Sequence, residues 1–140
     1  YEPYEYDAIV AGAPSGNAAG SAWADPDVMP LLVALAGGAG AVARHLVDLT
    51  VARHGPAWAA TLGINLAGSL LMGLVSTADA AVVAVAGVGF CGGFTTFSTA
   101  CLQTVRLLRG WRAAMYAVVT ATGCLLLAGA GRILAGVVVS

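Results

Sequence analysis

Four apolar runs, separated by short polar punctuation, set the pattern of this chain. They cover roughly residues 28–49, 59–76, 80–108 and 113–139. Each is about 20 residues or longer, the length an α-helix needs to cross the hydrocarbon core of a bilayer. Pro30 suits the first turn of the first helix. Arg53, His54 and Pro56 fall in the first interruption, Thr77-Ala78-Asp79 forms the second, and Arg109 and Arg112 flank the third. The pattern predicts an all-α membrane protein with four transmembrane helices in one domain, 28–140. Residues 1–27 read differently: Tyr1, Tyr4 and Tyr6 alternate with Glu2, Glu5 and Asp7, and Gly, Ala, Ser and Pro follow. Such a segment cannot bury enough apolar surface to fold alone, so a disordered N-terminal tail is expected. No basic stretch precedes an apolar run there, which argues against a secretory signal.

The third run departs from a plain membrane helix. Gly92-Gly93 stands at its middle, followed by Thr95, Thr96, Ser98 and Thr99 around Phe97. Each glycine weakens a helix by about 1 kcal/mol relative to alanine. The hydroxyls bring donors and acceptors to a depth where water is scarce. The reading is a helix broken at mid-membrane, with freed backbone groups and hydroxyls turned towards an ion path. In the first run, Gly37-Gly38-Ala39-Gly40 offers a surface on which helix backbones can approach closely in lipid. Arg44 lies near the end of that run, snorkelling or paired. In the second, Asn65 is costly in hydrocarbon without a partner. It either hydrogen-bonds a neighbouring helix or faces a pore as an N–H donor. In the fourth, Tyr116, Thr120 and Cys124 recur every four residues and share one helical face. They either bond within their own helix or form a polar track.

Composition narrows the classes. Apolar residues make up 59% of the chain and charged ones 9%, against about 25% charged in ordinary soluble domains. There is no lysine, and the arginines form no nucleic-acid stripe. Cys91, Cys101 and Cys124 all fall in apolar runs at spacings that fit no metal or redox template, so inert thiols are expected. Residues 87–92 match G-x-G-x-x-G, but a dinucleotide site needs a βαβ unit and an acidic residue about 20 positions on. That neighbourhood here is Leu107 to Arg112. No Ser/His/Asp or Cys/His arrangement survives either, and an enzyme is not expected. A chain this short encloses no large cavity, so a pore needs more than one copy.

The strings Gly38 to Arg44, Gly63-Ile64-Asn65-Leu66-Ala67-Gly68-Ser69 and Gly89 to Thr99, with Tyr116 in the last run, resemble the Fluc/CrcB fluoride channels. The resemblance spans about residues 29–131. It implies passive, selective export of fluoride through a multi-pass protein of the cell membrane. It implies an antiparallel dimer with a structural sodium ion (Na+) at its centre, held by the backbone carbonyls of Gly92 and Thr95. Phe97 would then be a pore phenylalanine. Asn65, Ser98, Thr99, Tyr116 and Thr120 would supply donors along the path, and Arg44 would stand near a vestibule.

One departure is Ala100, where the family usually places a second phenylalanine. Charge placement is also lopsided. Arg53, Arg109 and Arg112 share one side with Arg44 and Arg106 nearby, whereas the other side holds Asp27, Asp79 and Arg132. That bias favours one orientation, both termini outside. The partner is therefore either a second copy or a paralogous subunit inserted the opposite way, which supplies the missing aromatic. Two other classes compete. A small multidrug antiporter needs an intramembrane carboxylate, and the only acids after Asp27 are Asp48 and Asp79, both at boundaries. A non-conducting scaffold subunit explains the glycines but not the clustered hydroxyls.

Overall fold

The computed structural model describes residues 28–106 and 110–139. The expected tail, 1–27, and Arg109 lie outside them. Helix α1 (Val28–Ala52) and helix α2 (Ala57–Val75) come first. Helix α3, 80–94, combines a turn at Ala80–Val82, a π-helical stretch at Val83–Cys91 and a turn at Gly92–Phe94. Helices α4 (Phe97–Arg106) and α5 (Trp111–Val139) complete the chain. Among the described residues, four stretches are long and apolar enough to cross a membrane: Val28–Val51, Ala57–Val75, Ala80–Arg106 and Trp111–Val138. The third comprises α3 and α4. The chain is a multi-pass membrane protein, and its spans start and stop within about three residues of the apolar pattern. Before α5 the chain turns at Gly110, whose φ of 65° suits a residue without a Cβ.

The spans pair by alternation rather than by sequence neighbourhood. Helix α1 packs mainly on α3, and α2 mainly on α5. Both pairs run parallel, since rising positions on one helix meet rising positions on the other. Val33 meets Gly89, and Gly37 meets Gly93. Likewise Leu66 meets Gly123, and Gly73 meets Ala128 and Arg132. Apart from the Leu66 side chain on Gly123, these contacts are made by main-chain atoms. A Cβ on Gly93 would strike the Gly37 carbonyl, one on Gly40 the Phe90 carbonyl, and one on Gly73 the Ala128 carbonyl. Small residues give this intimacy in lipid, where the hydrophobic effect does not drive helices together. Gly38 meets nothing within 4 Å, so of the three glycines in this run of α1 only Gly37 and Gly40 make this contact.

The glycine pair in the third span proves to have a different local role. Gly92 is helical, with φ −62° and ψ −39°. The extended residue is Thr95, with φ −78° and ψ 160°. The backbone thus leaves the helix at Thr95–Thr96, at the far edge of the stretch Gly92–Thr95 where the break is expected. Gly93 is there for contact with α1. What redirects the chain is hydrogen bonding to Thr96.

The buried centre is unusually polar for a membrane protein. Thr61, Asn65, Thr96 and Gln103 are buried alongside Ala60, Ile64, Cys91, Ala100, Tyr116 and Ala135. In lipid such groups must find internal partners.

Candidate functional site

The site begins where helical hydrogen bonding stops. In a continuous helix Thr96 N–H would donate to Gly92 O, and Thr99 N–H to Thr95 O. Here Thr96 N–H donates to Asn65 Oδ1 at 2.8 Å. Thr99 N–H donates to Thr96 Oγ1 at 3.3 Å. Asn65 Nδ2 also donates to Thr96 O at 3.0 Å. One carboxamide therefore satisfies both main-chain groups of Thr96, and the Thr96 hydroxyl caps α4. Both carbonyls that the sequence reading selects, Gly92 and Thr95, lose their usual helical donors through these two diversions.

Three helices turn polar groups towards one another. On α2, Thr61 and Asn65 stand one turn apart. On α4 and its cap, Thr96, Ala100 and Gln103 share the buried face. On α5, Tyr116 and Thr120 are one turn apart. Gln103 Nε2 donates to Thr61 Oγ1 at 2.9 Å. Tyr116 OH donates to Gln103 Oε1 at 3.1 Å. The Tyr116 ring meets the Trp58 ring edge-on, with centroids 6.3 Å apart. Thr120 Oγ1 donates to Tyr116 O at 2.7 Å, and Thr95 Oγ1 to Cys91 O at 2.9 Å. Every buried side-chain nitrogen or oxygen among the described residues has a partner.

A groove of about 320 Å³ opens beside this network. Asn65, Phe97, Tyr116 and Thr120 all line it, together with Thr95, Ala100 and Cys124. Phe97 is 85% exposed at its edge. A second hollow of about 310 Å³ holds Gly92, Thr95, Gly68 and Cys91. Ser69 and Thr95 belong to both hollows.

Of the candidate pore-lining residues, the structure does not bring three to the groove. Ser98 is exposed, and Thr99 lies behind Thr96, accepting its hydroxyl proton at 2.9 Å. Arg44 sits half-buried on α1, outside the lining. Gln103 and Thr61 are buried polar residues outside the sequence-based candidates; Ser69, Thr96 and Thr104, also outside them, line the groove. Gln103 lies seven residues after Thr96, two turns along the same helical face, and that spacing was the available signal.

The donors in the groove are committed inward. Tyr116 and Thr120 spend their hydroxyl protons on Gln103 and on Tyr116 O, and Asn65 spends one of its two N–H groups on Thr96. The second Asn65 N–H and the rotatable hydroxyls are what remains for a guest. Such an inventory suits a small anion better than a cation. The N-terminus of α4, at the depth of the break, adds a positive partial charge.

Comparison with known proteins places the chain. The family described as "CrcB-like protein, Camphor Resistance (CrcB)" matches residues 31–132. A "Fluoride-specific ion channel FluC 2" of Cutibacterium acnes is 47% identical over 89 residues, covering 57% of this chain and 72% of that protein. A "Fluoride-specific ion channel FluC" of Chlorobaculum tepidum is 42% identical over 103 residues, covering 68% and 81%. Another from Sphingopyxis alaskensis is 41% identical over 116 residues, covering 73% and 90%.

Proposed function

We propose, from the premise that this chain belongs to the CrcB-like family, that it is a fluoride-specific ion channel. It is not an enzyme. It lets fluoride leave the cytoplasm across the cell membrane by passive conduction. The observation that carries this reading is the groove in which Asn65, Tyr116 and Thr120 converge beside Phe97. Fluoride is small and strongly hydrated, so a path must replace its water with donors. The spare Asn65 N–H provides one directly. Tyr116 and Thr120 provide others once their hydroxyls turn about the C–O bond. The positive edge of the Phe97 ring can face the anion.

A structural sodium ion at the carbonyls of Gly92 and Thr95 is part of this proposal. The donor set fits. A hard cation prefers oxygen ligands, both carbonyls are released from the helical ladder by Asn65 and Thr96, and both residues border one hollow. When bound, the ion would supply positive charge that holds two broken spans together. Gly92 and Thr95 orient their carbonyls, and Asn65 holds the backbone that presents them.

The channel acts as a dimer, and the partner is either a second copy or an oppositely inserted paralogue. Phe97 stands 85% exposed where a neighbouring subunit would cover it. Ala100 lines the groove where an aromatic ring is absent. The arginine bias of one face supports the paralogue. Efflux from fluoride-loaded liposomes, followed with a fluoride electrode, tests both parts. Efflux that appears only with the paralogue supports the heterodimer, and robust efflux from this chain alone assigns the homodimer. No efflux in either case would defeat the channel reading.

A further inference from the structure

Away from the groove, a cleft of about 340 Å³ opens between α2 and α5 at the end of the molecule that carries the α1–α2 and α4–α5 connections. Leu62, Met115 and Val119 make its apolar walls. Trp58 and Trp111 flank it, 38% and 68% exposed. Arg112 is its one charged side chain. Among the described residues Arg112 has no ion-pair partner, and it is exposed.

These parts sit in the order of the layers of a bilayer leaflet. Indole rings settle at the headgroup level, which sets the depth of Trp58 and Trp111. Walls of Leu62, Met115 and Val119 then lie at acyl-chain depth, with a cation at the mouth. Arg53 and Arg106 are exposed at the same end, against Asp48 as the one described acid there. The arginine-rich face of a membrane protein is the cytoplasmic one, next to an anionic leaflet. A free inorganic anion would find Arg112 alone in an apolar cleft, without a buried polar donor. A phospholipid with a negative headgroup satisfies both the cation and the apolar walls.

We infer that this cleft is a binding site for one anionic phospholipid, its acyl chain between α2 and α5 and its phosphate on Arg112. The back of the cleft is Tyr116, which also lines the polar groove and donates to Gln103. A bound lipid therefore rests one aromatic ring away from the groove. The inference concerns binding and stands whatever ion the groove conducts.

The test uses the full chain in vesicles, in a Trp23→Phe background so that only Trp58 and Trp111 report. Quenching of their fluorescence is titrated with phosphatidylglycerol or phosphatidylcholine carrying brominated acyl chains. Phosphatidylglycerol is expected to quench at several-fold lower mole fraction. Arg112→Gln should reduce that preference about fivefold, the usual weight of one arginine at an anionic surface. Arg112→Lys should keep it. Equal quenching by the two lipids, or an unchanged preference in Arg112→Gln, overturns the inference. So does absence of quenching by either lipid, the result if a second subunit covers the cleft. Release of the quencher by millimolar inorganic phosphate would also overturn it, in favour of a free-phosphate site. Should Arg112→Gln fail to fold, the lipid comparison on the parent protein and on Arg112→Lys still decides.

Discussion

Asn65 and Thr96 exchange two hydrogen bonds across 31 residues of sequence, one from the Thr96 N–H at 2.8 Å and one to the Thr96 carbonyl at 3.0 Å. A side chain from α2 here replaces the helical partners that α3 and α4 would otherwise give each other. The bend at Thr95–Thr96 is thereby a two-span feature, and neither span could hold it alone.

Asn65→Ala should expose that dependence. It strands a buried N–H and a buried C=O, each costing about 1–3 kcal/mol. The expected outcome is a clear drop in the unfolding midpoint in detergent, together with loss of fluoride efflux. An unchanged midpoint would show that the bend does not rely on the carboxamide.

The adjacent glycines should behave oppositely. A Cβ on Gly93 meets the Gly37 main chain, whereas one on Gly92 meets nothing within 4 Å. Gly93→Ala is expected to cost about 1–3 kcal/mol through overpacking. Gly92→Ala should be neutral or gain up to about 1 kcal/mol from helix propensity. Denaturant titration of the two variants side by side checks the contrast.

Gln103 links Thr61 to Tyr116, so Gln103→Leu leaves two buried hydroxyls without it. Loss of one such hydrogen bond, about 1.4 kcal/mol, corresponds to roughly tenfold in a rate or affinity. We expect efflux to fall by about that factor. Tyr116→Phe should keep the Gln103–Thr61 bond, and comparison of the two variants in the liposome assay separates loss of the linker from loss of the phenol.

The missing aromatic yields a gain-of-function prediction. Phe97→Ile should abolish efflux while the protein still elutes as the parent assembly. Ala100→Phe places a ring in a groove of about 320 Å³, and should raise efflux from this chain reconstituted alone. If Ala100→Phe leaves solitary efflux unchanged, the alanine at this position does not limit what a second copy of this chain can do as partner.

Much of this architecture was legible from the order of residues, and the exceptions have physical causes. Apolar runs of bilayer length located the spans because lipid enforces both composition and length. The pattern could not say that α1 pairs with α3 and α2 with α5, since close backbone approach depends on which face of each helix its glycines occupy. Gly37 and Gly40 make that contact and Gly38 does not, although all three stand in one run. Local propensity points to a break around Gly92–Thr95, and the extended backbone lies at the far edge of that window. Its position at Thr95–Thr96 is set by Asn65, a partner 31 residues distant. Asn65, Phe97, Tyr116 and Thr120 do converge on one groove. Gln103 escaped notice because one polar residue in an amphipathic helix resembles surface until its neighbours are known.

Parallel pairing of alternate spans also has a bearing on how the protein is made. As the chain emerges into the bilayer, α1 cannot meet its main partner until α3 has been synthesised, and α2 waits longer still for α5. A nascent chain halted after Val75 would hold neither principal pair. The two principal pairs can therefore form only in sequence, α1 with α3 first and α2 with α5 once the last span has been made.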